Sequence, residues 1–218
     1  FNLKIAKYAK QYNIPVLFYI APQVWAWREK RAKGFMNSIS HLAVIFPFEE
    51  QFFKKYSNNV TYVGHPLNKR KDLQQAIKSF EQRTIDLGIF PGSRESEIKN
   101  NLHIMLDCVQ KNKNEKINIF YANETARDFL KKSLPETYHK YLVSGRDIEK
   151  IRDCKKALCA SGTITLELAM LEVPMIIVYK LSYISFLIMK SLVKVKYIGL
   201  VNLILGDKMG SEPIVNEY

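Results

Sequence analysis

The sequence predicts an α/β fold built on parallel sheets, and three observations carry that prediction. Seven short apolar runs recur along the 218 residues: Val16–Ile20, Leu42–Phe46, Val60–Val63, Ile85–Phe90, Ile117–Tyr121, Ala157–Ala160 and Met175–Val178. Segments of helical period separate them, as in the stripe Ile98, Leu102, Met105, Leu106 and Val109. The runs are nearly continuous in apolar character, as expected of strands covered on both faces by crossover helices.

The stretch Asn68 to Gln82 breaks this rhythm. It is polar, rich in charge and free of strand-like runs, so it is the candidate linker or domain-crossing helix. The expected organisation is therefore the end of a first α/β unit over 1–72, a linker over 73–83, and most of a second unit over 84–218. There is no internal repeat and no low-complexity segment.

Composition excludes several classes. Apolar residues make up 47% and aromatic residues 12% of the chain, enough to bury a core and far from a disordered composition. Cys108, Cys154 and Cys159 are too few and odd in number for a disulfide framework, and point to reduced thiols in a cytoplasmic protein. The run Leu181–Met189 is bracketed by Lys180 and Lys190 and falls short of a membrane span. No signal-peptide pattern is present. The chain opens at Phe1 without an initiator Met, which reads as an excerpt of a longer protein. The formal charge of +12 favours an anionic partner, whether nucleic acid, an acidic membrane face or a phosphorylated substrate.

Two strand-to-helix junctions carry chemistry suited to such a partner. In open α/β sheets, ligands gather at the carboxyl ends of strands, where helix N-termini present free N–H groups. The first junction is Ile89-Phe90-Pro91-Gly92-Ser93-Arg94: Gly92 lets the backbone approach a ligand, Ser93 can cap the helix, and Arg94 offers a planar fork for phosphate. The second is Ala160-Ser161-Gly162-Thr163, an anion cradle of hydroxyls and unobstructed backbone. Glu167 follows Thr163 by one turn and can accept hydrogen bonds from a pair of sugar hydroxyls. Each junction alone is equally an ordinary βα turn with a solvated surface residue. Neither fits the Walker pattern or G-x-G-x-x-G, which argues against a P-loop NTPase and a nicotinamide enzyme.

Several motifs occur together in the order of one family. These are Ala21-Pro22-Gln23-Val24-Trp25-Ala26-Trp27-Arg28, Phe46-Pro47-Phe48-Glu49, Gly64-His65-Pro66, Pro91-Gly92-Ser93-Arg94, and Ala160-Ser161-Gly162-Thr163 with Leu166-Glu167. Val173-Pro174-Met175, Leu192-Val193-Lys194 to Tyr197, and Leu200-Val201-Asn202-Leu203 agree as well. Over essentially its whole length the chain resembles bacterial lipid-A-disaccharide synthase. The resemblance implies a GT-B glycosyltransferase of two Rossmann-like domains with parallel sheets, the N-terminal, acceptor-side one incomplete here and the UDP-sugar-binding one truncated at its end. It implies transfer of 2,3-diacylglucosamine from UDP to 2,3-diacylglucosamine 1-phosphate, giving a β-1,6-linked disaccharide and UDP in lipid A biosynthesis. No metal or other cofactor is implied.

Carried over by the resemblance, Ser93 and Arg94 contact the diphosphate, Ser161, Gly162 and Thr163 present amides and hydroxyls to it, and Glu167 holds the ribose. Arg146, in the loop Ser144-Gly145-Arg146-Asp147-Ile148, falls where related transferases grip uracil. Asn202 occupies the family's Pro-Asn motif, with Val201 in place of the proline. The carboxylate that activates the acceptor hydroxyl in the family lies upstream of Phe1, so the excerpt alone is expected to be inactive. Expected partners are the two acylated sugar substrates and an anionic inner-membrane surface on the cytoplasmic side of a Gram-negative cell; a homodimer is compatible with the sequence.

Other residues have plainer readings. Trp25 and Trp27 with Arg28 suit packing or a cleft lining, and His65 suits a structural turn or the cleft. His41, His103 and His139 lack metal-ligand spacing. Cys154 and Cys159 read as buried thiols. The mixed apolar and basic segment Tyr183 to Tyr197 suits either a core helix or a membrane-surface element, to which Lys30, Arg31 and Lys33 would add. The competing functions are another UDP-sugar GT-B enzyme, such as a peptidoglycan-type N-acetylglucosaminyltransferase or a UDP-sugar epimerase, and a basic nucleic-acid-binding module, for which no motif is present.

Overall fold

The computed structural model describes residues 2–74, 77–111, 115–180, 199–209 and 215–217. The segments expected at Leu181–Met189, Tyr183–Tyr197 and Leu192–Tyr197 lie outside the described residues. Contacts between residues divide the chain into two compact units at Lys69/Arg70. Among the described residues no helix is long and apolar enough to cross a membrane.

The first unit runs α1 (Asn2–Gln11), β1 (Leu17–Tyr19), α2 (Val24–Trp27), α3 (Arg31–Met36), β2 (His41–Val44), α4 (Pro47–Lys54) and β3 (Val60–Tyr62). Its three strands form one parallel sheet in the order β1-β2-β3, with Phe18 opposite Leu42 and Leu42 opposite Val60. Leu42, Val44, Phe53 and Ala32 are fully buried in its core. The run Leu42–Phe46 is apolar throughout, yet the strand ends at Val44. Pro47 opens α4, and the Glu49 carboxylate reaches back to the N–H groups of Ile45 and Phe46 at 3.3 and 3.1 Å, drawing them into the helix cap. At the other end of the sheet, Ile20 has φ +67°, a left-handed conformation costly for a β-branched residue, and β1 stops before it.

The second unit holds β4 (Leu87–Phe90), α5 (Glu95–Lys111), β5 (Ile117–Tyr121), α6 (Glu124–Ser133), β6 (Leu142–Ser144), α7 (Ile148–Arg152), β7 (Ala157–Ala160), α8 (Ile164–Met170), β8 (Met175–Val178), α9 (Leu200–Met209) and β9 (Asn216–Glu217). All its strands are parallel, in the order β6-β5-β4-β7-β8-β9. Counted from β4 this is 3-2-1-4-5-6, the doubly wound Rossmann order. Strand β4 is buried at all four positions, and α5 lays Ile98, Leu102, Met105 and Val109 on the sheet, the stripe legible in the sequence. Ile89, Ile119, Leu130 and Met105 are fully buried at the centre.

The polar stretch after Pro66 forms three short 3-10 turns, Pro66–Lys69, Lys71–Gln74 and Phe80–Gln82, in place of a continuous crossing helix. It has no apolar stripe that a long helix could bury. It is tied down by side chains instead. Arg83, only 4% exposed, donates to the carbonyls of Lys78, Cys154, Leu171 and Glu172 at 2.9 to 3.2 Å. One guanidinium thus joins the stretch to the ends of α7 and α8. Arg83→Met should lower stability by about 3 kcal/mol, because it strands carbonyls that accept charge-assisted bonds. Urea denaturation would show this as a lower midpoint at unchanged slope; an unmoved midpoint would return Arg83 to a passive role.

Candidate active site

Reversal of winding direction makes the site of the second unit. Strands β4 and β7 are neighbours, with Phe90 opposite Cys159, but β5 and β6 extend the sheet to one side and β8 to the other. The chain leaves the carboxyl ends of β4 and β7 toward opposite faces, and a crevice opens between the two loops. A cavity of about 340 Å³ occupies it. Its walls come from the loops after β4 (Gly92, Ser93), β5 (Ala122), β6 (Gly145, Arg146) and β7 (Ser161, Gly162, Thr163), joined by Arg70, Glu97 and Glu167. Phe90 and Phe120, stacked at 4.5 Å with planes 2° apart, also line it.

At the β4 loop, Gly92 has φ +129°, and a Cβ there would stand 2.6 Å from the Glu97 Cβ. Only glycine fits. The Glu97 carboxylate accepts from the Ser93 N–H at 3.0 Å, the Ser93 hydroxyl at 3.4 Å, the Arg94 N–H at 3.4 Å and Arg94 Nη1 at 2.9 Å. It is the third residue of α5 and serves as that helix's N-terminal cap. Ser93 lines the cavity, whereas the Arg94 side chain is 79% exposed on the flank and is not among the lining residues.

At the β7 loop, Ser161, Gly162 and Thr163 all line the cavity. Thr163 precedes α8, and its carbonyl and that of Gly162 accept from the first-turn amides of Thr165, Leu166 and Glu167 at 3.0 to 3.3 Å. Thr165, fully buried, donates its hydroxyl to the Gly162 carbonyl at 2.7 Å and fixes the loop. Glu167 lines the cavity with its side chain 15% exposed, 3.2 Å from Arg70 Nη1. Burial pushes its carboxyl above the usual carboxylate range, with Arg70 pulling the other way.

Arg146 is exposed and reaches the cavity from the β6 loop. A Cβ on Gly145 would come within 3.0 Å of the Tyr121 carbonyl, which accepts from the Gly145 N–H at 2.9 Å. The backbone there passes close beneath a second strand end. Asn202 stands elsewhere. It is 1% exposed, its amide donating to the Val215 carbonyl at 2.7 Å and accepting from the Val215 N–H at 2.9 Å, and it is not among the lining residues.

The motifs of the first unit also meet one another. Trp25 is buried, donates its indole N–H to Glu49 at 3.1 Å, and packs edge-on against Phe48. Phe46 stacks on Phe48 and on His65. The His65 Nδ1 accepts from the Leu67 N–H at 3.2 Å, and burial pushes its pKa down, so the neutral ring carries its proton on Nε2. The three motif blocks are one packed cluster around a buried carboxylate. Cys154 and Cys159 are buried thiols whose pKa is pushed up to about 12 by burial, and they hold no reactive thiolate.

Arg70 and Glu97 escaped the sequence reading. Acidic residues in the first turn after a glycine and a serine, here Glu95 and Glu97, are a helix-start signal that could have marked Glu97. Arg70 gave none, since it lies in a basic run 97 positions from Glu167.

Comparison with known proteins bears on both units. A family model described as lipid-A-disaccharide synthetase matches residues 1–218. Lipid-A-disaccharide synthase of Trichlorobacter lovleyi is 36% identical over 228 aligned positions, covering 100% of this chain and 60% of the relative. That of Nitrosococcus oceani is 34% identical over 98% of this chain and 58% of the relative. The chain thus spans about 60% of the length of these curated relatives. Solved structures align loosely: Staphylococcus aureus TarM at TM-score 0.47 and 12% identity (88% of this chain, 36% of that one), and S. aureus MnaA at 0.45 and 14% (94% and 69%). The match to the family model leaves no residue unaccounted for, from the Trp25–Glu49 cluster to the cavity between β4 and β7: the chain belongs to the lipid-A-disaccharide synthase family.

Proposed function

We propose that this chain takes part in transferring 2,3-diacylglucosamine from UDP to 2,3-diacylglucosamine 1-phosphate, releasing UDP and forming the lipid A disaccharide 1-phosphate. The carrying observation is the cavity at the switch point of the second unit, where loop backbone, hydroxyls, two arginines and the two half-buried carboxylates Glu97 and Glu167 converge. Family membership supplies the reaction.

In this reading the residues divide the nucleotide among them. The diphosphate lies between the two loops, against Ser93 and Arg94 on one side and Ser161, Gly162 and Thr163 on the other. Negative charge grows on the leaving phosphate as the glycosidic bond breaks. Donors of the β7 loop, already fixed in place, stabilise it without reorganising, while those of the β4 loop must first leave Glu97. Glu167 accepts from the ribose hydroxyls, and the β6 loop with Gly145 and Arg146 takes the base. Asn202, buried and bonded to Val215, has a supporting role in this reading. The first unit, residues 1–72, serves the acceptor side, followed by a linker over 73–83 and the UDP-sugar unit over 84–218.

The surplus of 33 basic over 21 acidic residues favours work at an anionic membrane face, where acylated substrates reside. We place the protein on the cytoplasmic side of a Gram-negative inner membrane.

Calorimetric titration tests the nucleotide site. UDP should bind saturably and GDP far more weakly; equal binding of both would remove the base from the β6 loop. Arg94→Ala should weaken UDP about tenfold, the worth of one partly exposed charge-assisted bond. Unchanged affinity would move the diphosphate away from the β4 loop. Glu167→Gln should weaken UDP about tenfold and 2′-deoxy-UDP much less. An equal loss on both would take the ribose away from Glu167. Disaccharide formation from the two acylated sugars is the assay for transfer.

A further inference from the structure

We propose that Arg70 is a positioning residue that keeps Glu167 ionised and aimed at a nucleotide's ribose hydroxyls, an inference that rests on the reading of Glu167 above. A carboxylate can accept from both hydroxyls of a ribose, whereas a protonated carboxyl must spend one oxygen as a donor. Burial works against the ionised form of Glu167. The groups bearing on it are Arg70 and Asp72 from the 3-10 turn side, and Glu97 and Arg146 across the cavity. Among the described residues only Arg70 stands at ion-pair distance, 3.2 Å away.

The guanidinium is held in that orientation by a built support. Its Nε and Nη2 bind the two oxygens of Asp72 at 3.1 and 2.5 Å, which leaves Nη1 to face Glu167. The Asp72 carbonyl accepts from Arg152 Nη2 at 2.9 Å, and Arg152 is itself buried with Nη1 on Glu149 at 2.9 Å. Leu73, buried, docks the same turn. A chance surface pair between two long side chains has no such backing and contributes little. Here an arginine from the start of the second unit is locked by a bidentate carboxylate, itself anchored through its backbone to α7.

The sign of the effect follows from the acid. Glu167 accepts ribose hydroxyls fully above its pKa, and that contribution is lost as pH falls through it. Removing the nearby cation raises the pKa, so the loss begins at higher pH. The experiment is calorimetry on the full chain with UDP, 2′-deoxy-UDP and inorganic pyrophosphate between about pH 5 and pH 8, a range chosen to cover a carboxyl raised by burial. In Arg70→Met, the pH below which UDP affinity falls should rise by about one unit, the low end of what an adjacent opposite charge supplies. Pyrophosphate affinity should be unchanged, which also reports that the site is folded. Arg70→Lys, which keeps the cation, should restore part of the profile.

An unshifted UDP profile in Arg70→Met overturns the proposal. A parallel loss of pyrophosphate binding also overturns it, by making Arg70 a phosphate ligand. The parent reading is tested separately by Glu167→Gln. If that variant keeps the preference for UDP over its deoxy analogue, the ribose reading of Glu167 falls; if the preference is lost while Arg70→Met leaves the profile unmoved, only the role of Arg70 falls.

Discussion

The adjacency of β4 and β7 is the constraint on which the second unit depends. Residues 91 to 156 intervene between them, and they pair only because β5 and β6 are wound out to one side before the chain returns. The right-handed rule for parallel crossovers then sends the helices after β4 and β7 to opposite faces. Two loops that would otherwise run side by side diverge, and their space becomes the cavity. Every lining residue except Arg70 lies on or beside a strand's carboxyl end or in the first turn of the helix that follows. Packing serves the same end: the buried faces of β4 and α5 fix Gly92 and Ser93, and the Thr165 hydroxyl fixes Gly162.

Both carboxylates that line the cavity are paired locally. Glu97 holds the donors of the β4 loop, and Glu167 faces Arg70. This has a mechanical consequence. A loop whose N–H groups are already drawn to one carboxylate keeps its shape without a ligand. On the proposed function, an incoming phosphate meets those donors already turned toward negative charge, and has to compete with Glu97 for them. Strong pre-organisation and easy release of product then come from one residue, because the carboxylate can take back its donors when the phosphate leaves.

Much of this was legible in the sequence, for reasons that can be named. Strands β7 and β8 match their apolar runs residue for residue; β7 is buried at all four positions, and β8 at Ile177 and Val178. The α5 stripe was legible because five apolar residues recur at helical spacing. Strands β6 and β9 were not read, being three and two residues long and carrying Ser144, Asn216 and Glu217. At such lengths an edge strand is defined by its neighbour and not by its own composition. The two junctions were visible because glycine, hydroxyl and charge fall together beside a strand. Arg94 and Asn202 show the limit of that method, since a residue's place in a motif does not say whether its side chain faces the cavity or packs beside it.

Arg70 marks a different limit. Its local sequence, Asn68-Lys69-Arg70-Lys71-Asp72, carries only charge, and charge runs are usually solvated. What singles it out is tertiary: Asp72 two residues on, Arg152 on α7 behind Asp72, and Glu167 on α8 in front. The same holds for the Trp25–Glu49 pair in the first unit, where a buried carboxylate takes an indole N–H and two backbone N–H groups and joins two motifs that sequence spacing alone leaves separate. In both units the recognisable motif supplies one partner of a buried carboxylate's bonds, and the fold supplies the others. A carboxylate removed from water must gather such donors, because an unpaired buried charge costs more than most single contacts return. Buried Glu49 and half-buried Glu167 are therefore the points at which the motifs are tied to the scaffold around them.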